Sequence, residues 1–73
     1  MQLQHVLTAR EIEIVQLIVA GLTDDAIGGK LTISRHTVST HRKNILSKLS
    51  LPNTASLVRV AMQHGLDTYS PPD

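Results

Sequence analysis

The segment at residues 33–49, ISRHTVSTHRKNILSKL, is rich in side chains that bind anions and contains no acid. Its basic and imidazole side chains are Arg35, His36, His41, Arg42, Lys43 and Lys48. The formal net charge of the chain is only +1, but residues 26–66 carry +6 and the flanking segments are acidic. Such a one-signed segment predicts an anion-binding surface, and the alternative is a basic face that contacts only water.

Other arrangements of chemically active residues do not form the patterns that catalysis or metal binding requires. His36 and His41 are five positions apart with no adjacent Glu, so the H-E-x-x-H geometry of zinc enzymes is absent. Asp24 and Asp25 are adjacent and would diverge by about 100° on a helix, which favours helix capping over acid-base chemistry. No glycine-rich phosphate loop and no cysteine occurs. We therefore expect no enzymatic activity, no cofactor and no metal site.

The composition is that of one small globular domain. The 73 residues are 41% hydrophobic with a single aromatic side chain, so the core must consist of Leu, Ile, Val and Ala, which favours packed helices. The absence of cysteine suits a reducing cytoplasm. The sequence also lacks a signal peptide and an apolar run of the roughly 20 residues that span a bilayer. We expect a cytoplasmic protein with no membrane contact.

Capping and termination signals predict an all-α, compact four-helix domain with helices at about 9–20, 24–31, 35–50 and 54–64. The predicted N-terminal signals are a capping box of Thr8 with Glu11, then Thr23, Ser34, and Asn53 or Thr54. The predicted stops are Gly21, Pro52 and Gly65. The second and third helices are joined by about three residues, which makes a helix-turn-helix possible.

The apolar pattern predicts which side of each helix packs inward. We expect inward positions at Ile14, Val15, Leu17 and Ile18 of the first helix, Val38, Ile45 and Leu49 of the third, and Ala55, Val58, Ala61 and Met62 of the fourth. Glu11 is in line with the first stripe, so its capping bond should be partly shielded. At least one of Gly28 and Gly29 should permit close helix approach; the alternative is a frayed second helix.

The predicted outward face of the third helix carries short hydroxyls, an amide and a lysine. A helix with such a face fits the B-DNA major groove, about 12 Å wide, whose base edges offer matching donors and acceptors. Ser39 and Thr40 could instead bond the carbonyl four residues back, and Lys43 could simply be solvated. His41 is at the margin of the apolar stripe, where a packed histidine and a phosphate ligand are equally good interpretations.

The chain resembles the LuxR-type (GerE-type) helix-turn-helix domain. This domain occurs at the C-terminus of NarL/FixJ-like response regulators of two-component systems and of quorum-sensing regulators. The matching pieces are LTARE at 7–11, AGLT at 20–23, the Ile27 to Leu31 spacing, the segment 33–49, and Leu51, Asn53, Ala55 and Gly65-Leu66. The resemblance divides the chain into an N-terminal lead or linker at 1–6, the domain at 7–66 and a flexible tail at 67–73.

The resemblance implies sequence-specific binding of double-stranded DNA by a bacterial transcription regulator, with the third helix in the major groove. It implies base contacts by Ser39, Thr40 and Lys43. It implies phosphate contacts by Lys30, Thr32, Arg35, Thr37, Arg42 and Asn44. Together with the outward face of the fourth helix, it predicts a weak homodimer on paired half-sites through Ser56, Arg59, Val60 and Gln63.

The resemblance further implies an N-terminal receiver or ligand-binding domain in a longer parent protein, with RNA polymerase as a further candidate partner. Ile12 and Val19 either dock such a domain or broaden the core. The competing hypothesis is a protein-interaction module whose basic helix binds an acidic protein.

Two positions depart from the family pattern. The second helix usually begins with Asn, a basic residue and Glu, whereas this chain has Asp24, Asp25 and Ala26. The first base-facing position is often Lys and is Ser39 here. Both departures remove positive charge from the expected DNA surface, so we expect lower non-specific affinity and a different DNA sequence preference.

Overall fold

The computed structural model describes residues 3–66 and confirms an all-α fold with four α-helices, with no strand in that range. A short 3-10 helix, Leu3–His5, is followed by α1 (Ala9–Val19), α2 (Asp24–Leu31), α3 (Arg35–Lys48) and α4 (Thr54–Gln63). The predicted tail at 67–73 lies outside the described residues.

Each α-helix begins at a polar cap that the sequence predicts. Thr8 and Glu11 form the capping box: the Glu11 N–H donates to Thr8 Oγ1 at 3.1 Å, and the Thr8 N–H donates to Glu11 Oε1 at 2.8 Å. The other three caps accept a backbone N–H from three residues later, at 3.1, 3.0 and 2.8 Å respectively: Thr23, Ser34 and Asn53. These bonds satisfy amide groups that a helix leaves free at its first turn, which fixes where each helix starts.

The third helix ends two residues earlier than Pro52 predicts. Ser50 adopts a left-handed conformation with φ 55°, and the Leu51 N–H donates to the Leu46 carbonyl at 2.9 Å. This bond spans the helix end and turns the chain back before proline is reached. The helix therefore stops at Lys48, which stands in its last turn.

The turn between α2 and α3 is tight because Gly28 has no side chain. A Cβ at Gly28 would lie 2.6 Å from the Ile33 carbonyl oxygen, whereas one at Gly29 would meet nothing within 4 Å. Thr32 is left-handed in this turn (φ 59°), and the Ile33 N–H donates to the Gly28 carbonyl at 2.9 Å. The expected close approach is therefore made at Gly28.

The core joins residues from all four helices around α1. Its buried members are Leu7, Ile14, Val15, Leu17, Ile27, Val38, Ile45, Leu57 and Ala61. Ile18 and Leu49, which the sequence predicts to face inward, are partly buried against this cluster, as are Ile12 and Val19. The central portion of α3 is thus held to the rest of the domain by Val38 and Ile45, both fully buried.

The orientation of α4 differs from the prediction. Ala61 is buried as expected, but Ala55 is exposed, Met62 is 57% exposed and Val58 is only partly buried. Leu57, which the sequence interpretation did not place in the core, is fully buried. Leu57 and Ala61 are one turn apart, so they point in the same direction, and packing the larger leucine inward turns Met62 toward solvent.

Candidate nucleic-acid interface

The side of α3 opposite the core forms a polar face without carboxylates. Helix α3 contains no Asp or Glu, and its exposed residues include His36, Thr40, Lys43, Asn44 and Ser47. Burial of Val38 and Ile45 on the other side fixes the rotation of the helix, so this face must be presented outward. Polar side chains with donors and acceptors, together with an exposed cation, make a surface that can hydrogen-bond to an anionic polymer.

The three predicted base-contacting residues lie on this face. Ser39 is partly buried, whereas Thr40 and Lys43 are exposed. Thr40 and Lys43 follow Ser39 by one and four residues, so both project within about 100° of it around the helix. The Thr40 hydroxyl donates to the His36 carbonyl at 3.1 Å, which is the i−4 alternative weighed for this residue. Thr40 therefore presents its methyl group and an acceptor oxygen rather than a free donor.

The six predicted phosphate-contacting residues lie in α2, the turn and α3. Lys30, Thr32, Arg35 and Asn44 are exposed, whereas Thr37 and Arg42 are partly buried. The Thr37 and Ser34 hydroxyl oxygens are 2.9 Å apart and hydrogen-bonded. Arg35 and Arg42 lie on one side of the base-facing residues around α3, and Thr37 and Asn44 lie on the other. Lys30 and Thr32 precede α3, at the end of α2 and in the turn.

Two of the predicted phosphate-contacting residues form ion pairs with the first turn of α2. Arg42 Nη1 donates to Asp24 Oδ1 at 2.6 Å, and Arg35 Nη1 lies 3.7 Å from Asp25 Oδ2. The Arg42–Asp24 side chains are 28% and 23% exposed, and the Arg35–Asp25 side chains are 72% and 73% exposed. The unusual acids of α2 therefore face cations of α3 in addition to capping their own helix.

Sequence reasoning missed these two pairs, although a signal for them exists. Arg35 and Arg42 are seven residues apart, which is two helical turns, so they lie on one edge of α3. Asp24 and Asp25 stand in the first turn of the preceding helix. Once the two helices cross so that this turn meets the edge of α3, opposite charges at those positions favour the contact.

A third ion pair, also missed, fixes the C-terminal end of α3. Lys48 Nζ donates to Glu11 Oε1 at 2.7 Å, and the same oxygen accepts from the Thr8 N–H. The Glu11 side chain is only 6% exposed. Burial alone would raise the pKa of Glu11, but the hydrogen bonds from Lys48 and Thr8 and the charge of Lys48 outweigh it, so the pKa lies below its usual value.

The predicted dimer face of α4 lies away from the core. Ser56, Arg59, Val60 and Gln63 project within about 100° of one another around the helix. Arg59 and Gln63 are exposed, and Ser56 and Val60 are partly buried. This face is polar with one apolar residue, Val60, at the edge nearest the buried Leu57.

Metal-ligand clusters and membrane-spanning helices are absent from residues 3–66. No group of three or more His, Asp or Glu side chains in that range is placed to hold a metal ion. Among the helices described, none is long and apolar enough to cross a membrane.

Comparison with known proteins identifies the family. The profile of "Bacterial regulatory proteins, luxR family" (GerE) matches residues 5–61. The chain therefore belongs to the luxR family of bacterial regulatory proteins, and its fold is that of the family's helix-turn-helix, a DNA-binding domain of transcription regulators.

Three curated relatives show the same similarity. The chain is 47% identical over 60 residues to the transcriptional regulatory protein MctR of Rhizobium johnstonii, covering 82% of this chain and 28% of that protein. It is 45% identical over 62 residues to the uncharacterized response regulatory protein YgeK of Escherichia coli, covering 85% and 42%. It is 42% identical over 65 residues to the response regulator protein VraR of Staphylococcus aureus, covering 89% and 31%. The chain spans less than half the length of each.

Proposed function

We propose that this domain recognises a specific sequence of double-stranded DNA by inserting α3 into the major groove. The observation that carries the proposal is the outward face of α3, where Ser39, Thr40 and Lys43 project together on a helix that contains no carboxylate. A major groove about 12 Å wide admits a helix, and short side chains allow its close approach.

Each base-facing side chain has a preferred chemical partner. The Lys43 ammonium is a donor, which suits the O6 and N7 acceptors of guanine. The Thr40 hydroxyl has committed its proton to the His36 carbonyl, so it can accept from the amino group of cytosine or adenine, and its methyl group can contact that of thymine. Ser39 can donate or accept and adds less selectivity.

Phosphate contacts around this face would orient the helix. We assign them to Lys30, Thr32, Arg35, Thr37 and Asn44, which border the base-facing residues. Phosphate contacts supply affinity and register but little sequence information. Arg42, also predicted to contact phosphate, is held by Asp24.

The test is an in vitro selection from random duplex DNA with the purified domain at moderate salt. We expect enrichment of one sequence that includes guanine at the position facing Lys43. If no sequence is enriched while an acidic protein binds α3, the domain is a protein-interaction module and the DNA proposal is wrong.

We further propose that two copies bind paired half-sites through α4, with half-site centres about 10 base pairs apart. Val60, partly buried within an exposed polar face, is the apolar residue around which two such helices can pack. Val60→Asp should abolish cooperative binding to paired half-sites and leave binding to one half-site unchanged. Met62→Asp is a matched control, because Met62 is exposed on another side of α4. Equal losses on single and paired sites would refute the dimer.

The domain is proposed to act in the cytoplasm within a longer regulator, whose N-terminal domain receives the signal and whose bound form contacts RNA polymerase. The longer regulator is supported by the length of the relatives, of which the chain spans 28% to 42%. An antibody against the domain should detect a native protein well above 8.0 kDa in cell extracts. A band at 8.0 kDa alone would contradict this.

A further inference from the structure

The first turn of α2 holds two acids that meet the same edge of α3 in different ways. The Asp24–Arg42 pair is short, at 2.6 Å, and about three-quarters buried, whereas the Asp25–Arg35 pair is 3.7 Å long and largely exposed. Water screens the outer pair much more than the inner one. Arg35 is therefore available to an external phosphate, and Arg42 is held by its own protein.

The helix pair is joined both near the turn and at the N-terminal end of α2. Near the turn, Gly28 lets the helix contact the Ile33 carbonyl and the start of α3. One helical turn nearer the N-terminus of α2, about 6 Å along the axis, the Asp24 carboxylate pairs with Arg42 in the middle of α3. Ile27, fully buried in the core, holds this same half of α2. The Asp24–Arg42 pair adds a directional contact at the N-terminal end of α2 and so limits tilting of that end against α3.

We infer that Asp24 is a positioning residue for DNA recognition, and that it acts by holding Arg42 so that α2 and α3 keep one relative orientation. The inference rests on the proposed DNA-binding function. The proposed phosphate contacts Lys30 and Thr32 belong to α2 and the turn, whereas the base contacts belong to α3. Only a fixed helix pair lets both sets engage the same DNA in register, because displacements near 1 Å suffice to spoil a recognition site.

The structure supplies a matched control at the adjacent position. Asp24 and Asp25 both stand in the first turn of α2, where each carboxylate interacts favourably with the positive helix end. Asp24→Asn and Asp25→Asn therefore remove the same charge from the same turn. Both should raise affinity for scrambled DNA to a similar extent, because each removes one repulsion from phosphate.

The two variants should differ in discrimination between the selected DNA sequence and a scrambled one. We expect Asp24→Asn to lower the ratio of the two affinities by about 3- to 10-fold, a typical coupling for residues in direct contact. Asp25→Asn should leave the ratio unchanged. Asp25→Asn should keep the melting temperature close to wild type, because its ion pair is largely exposed. Asp24→Asn removes one partner of a mostly buried pair and should lower it modestly, so both affinities are compared well below the unfolding transitions.

Arg42→Gln separates a positioning role from a phosphate contact. We expect Arg42→Gln to lower the ratio of the affinities for selected and scrambled DNA as much as Asp24→Asn does. The double variant should show no further loss, and the salt dependence of binding should not change. A salt slope shallower by about 0.9 would identify Arg42 as a phosphate ligand and overturn the inference.

If the wild type discriminates between the two DNA sequences but Asp24→Asn and Asp25→Asn have equal ratios of affinities, the positioning role is wrong. The proposed function would still stand. No discrimination by the wild-type domain would overturn both, and this is measured before any variant is made.

Discussion

The two ends of α3 carry ion pairs of the same chemistry in different surroundings. At the C-terminal end, Lys48 bonds to a Glu11 carboxylate that is 6% exposed and also caps α1. At the N-terminal end, Arg35 lies 3.7 Å from an Asp25 that is 73% exposed. Burial of the ion pair, more than the presence of a partner, therefore decides whether a cation stabilises the fold or remains available to a ligand.

The physical reason lies in what each carboxylate would lose. If Glu11 loses its partners, a buried charge and a free helix-terminal N–H remain, which is costly. If Asp25 loses Arg35, water replaces the cation at almost no cost. The ion pair at the C-terminal end of α3 therefore stabilises the fold, and the cation at the N-terminal end can exchange its partner for an external anion.

Truncation at the base-facing surface should have the largest effect on binding. Lys43→Ala should weaken binding to the selected DNA sequence by about 1–3 kcal/mol and change the preferred base at one position, because Lys43 is proposed to read guanine. The stability of the domain should not change, since Lys43 is exposed. A selection repeated with the variant measures the preference. A uniform loss over all sequences would reassign Lys43 to phosphate.

Truncation at the buried end should affect folding instead. Glu11→Ala should lower the free energy of unfolding by about 2 kcal/mol, because it removes a capping acceptor and the partner of Lys48. Urea denaturation measures this loss. Asp25→Ala is the control at an exposed pair: Asp25 is 73% exposed and lies 3.7 Å from Arg35, and we expect a change below about 1 kcal/mol. Equal effects would mean that burial does not distinguish the pairs.

Truncation at the exposed end should affect salt dependence. Arg35→Ala should make the slope of log K against log salt shallower by about 0.9, the value for one phosphate contact, and weaken binding evenly over all DNA sequences. Stability should change by less than about 0.5 kcal/mol, because the lost pair with Asp25 is exposed. An unchanged slope would show that Arg35 stays with Asp25 when DNA binds.

The smallest expected effect is on the pH dependence of stability. The pKa of Glu11 is lower in the folded protein than its ordinary value of 4.5, so its charged form stabilises the fold. This contribution is complete above pH 4.5 and is lost as the pH falls through the folded-state pKa. Unfolding of the wild type and of Glu11→Gln should therefore differ most near neutral pH and converge in acid. A constant difference would contradict the assignment.

Local signals predicted the fold well because they act within a few residues. Four caps and three stops placed all four helices to within two residues. Two glycines inside α2 predicted a close approach at one or both of them, and the structure makes it at Gly28. The rotation of α4 was not predictable in this way. Leu57 and Met62 are both apolar, and only the shape of the surface that α1 offers decides which one is buried.

The candidate site was likewise predictable from the sequence only in part. Exposure of Thr40 and Lys43 followed from the position of the apolar stripe on α3. The partners of Arg42, Arg35 and Lys48 did not, because these pairs join residues 18, 10 and 37 positions apart in the sequence. Such contacts depend on how helices cross, which no single-helix pattern contains. The consequence is that two predicted phosphate contacts have competing partners within the protein.

Recognition of DNA sequence by the outward face of α3 is tested most directly by mapping the NMR shifts of the backbone amides as the selected duplex is added to the domain. We predict large changes at the turn and along α3 from Arg35 to Asn44, with the Glu11 and Thr8 amides unchanged, and much smaller changes with a scrambled duplex. Largest changes on α1 or α4, or identical maps for the two duplexes, would contradict the claim that the outward face of α3 reads DNA sequence.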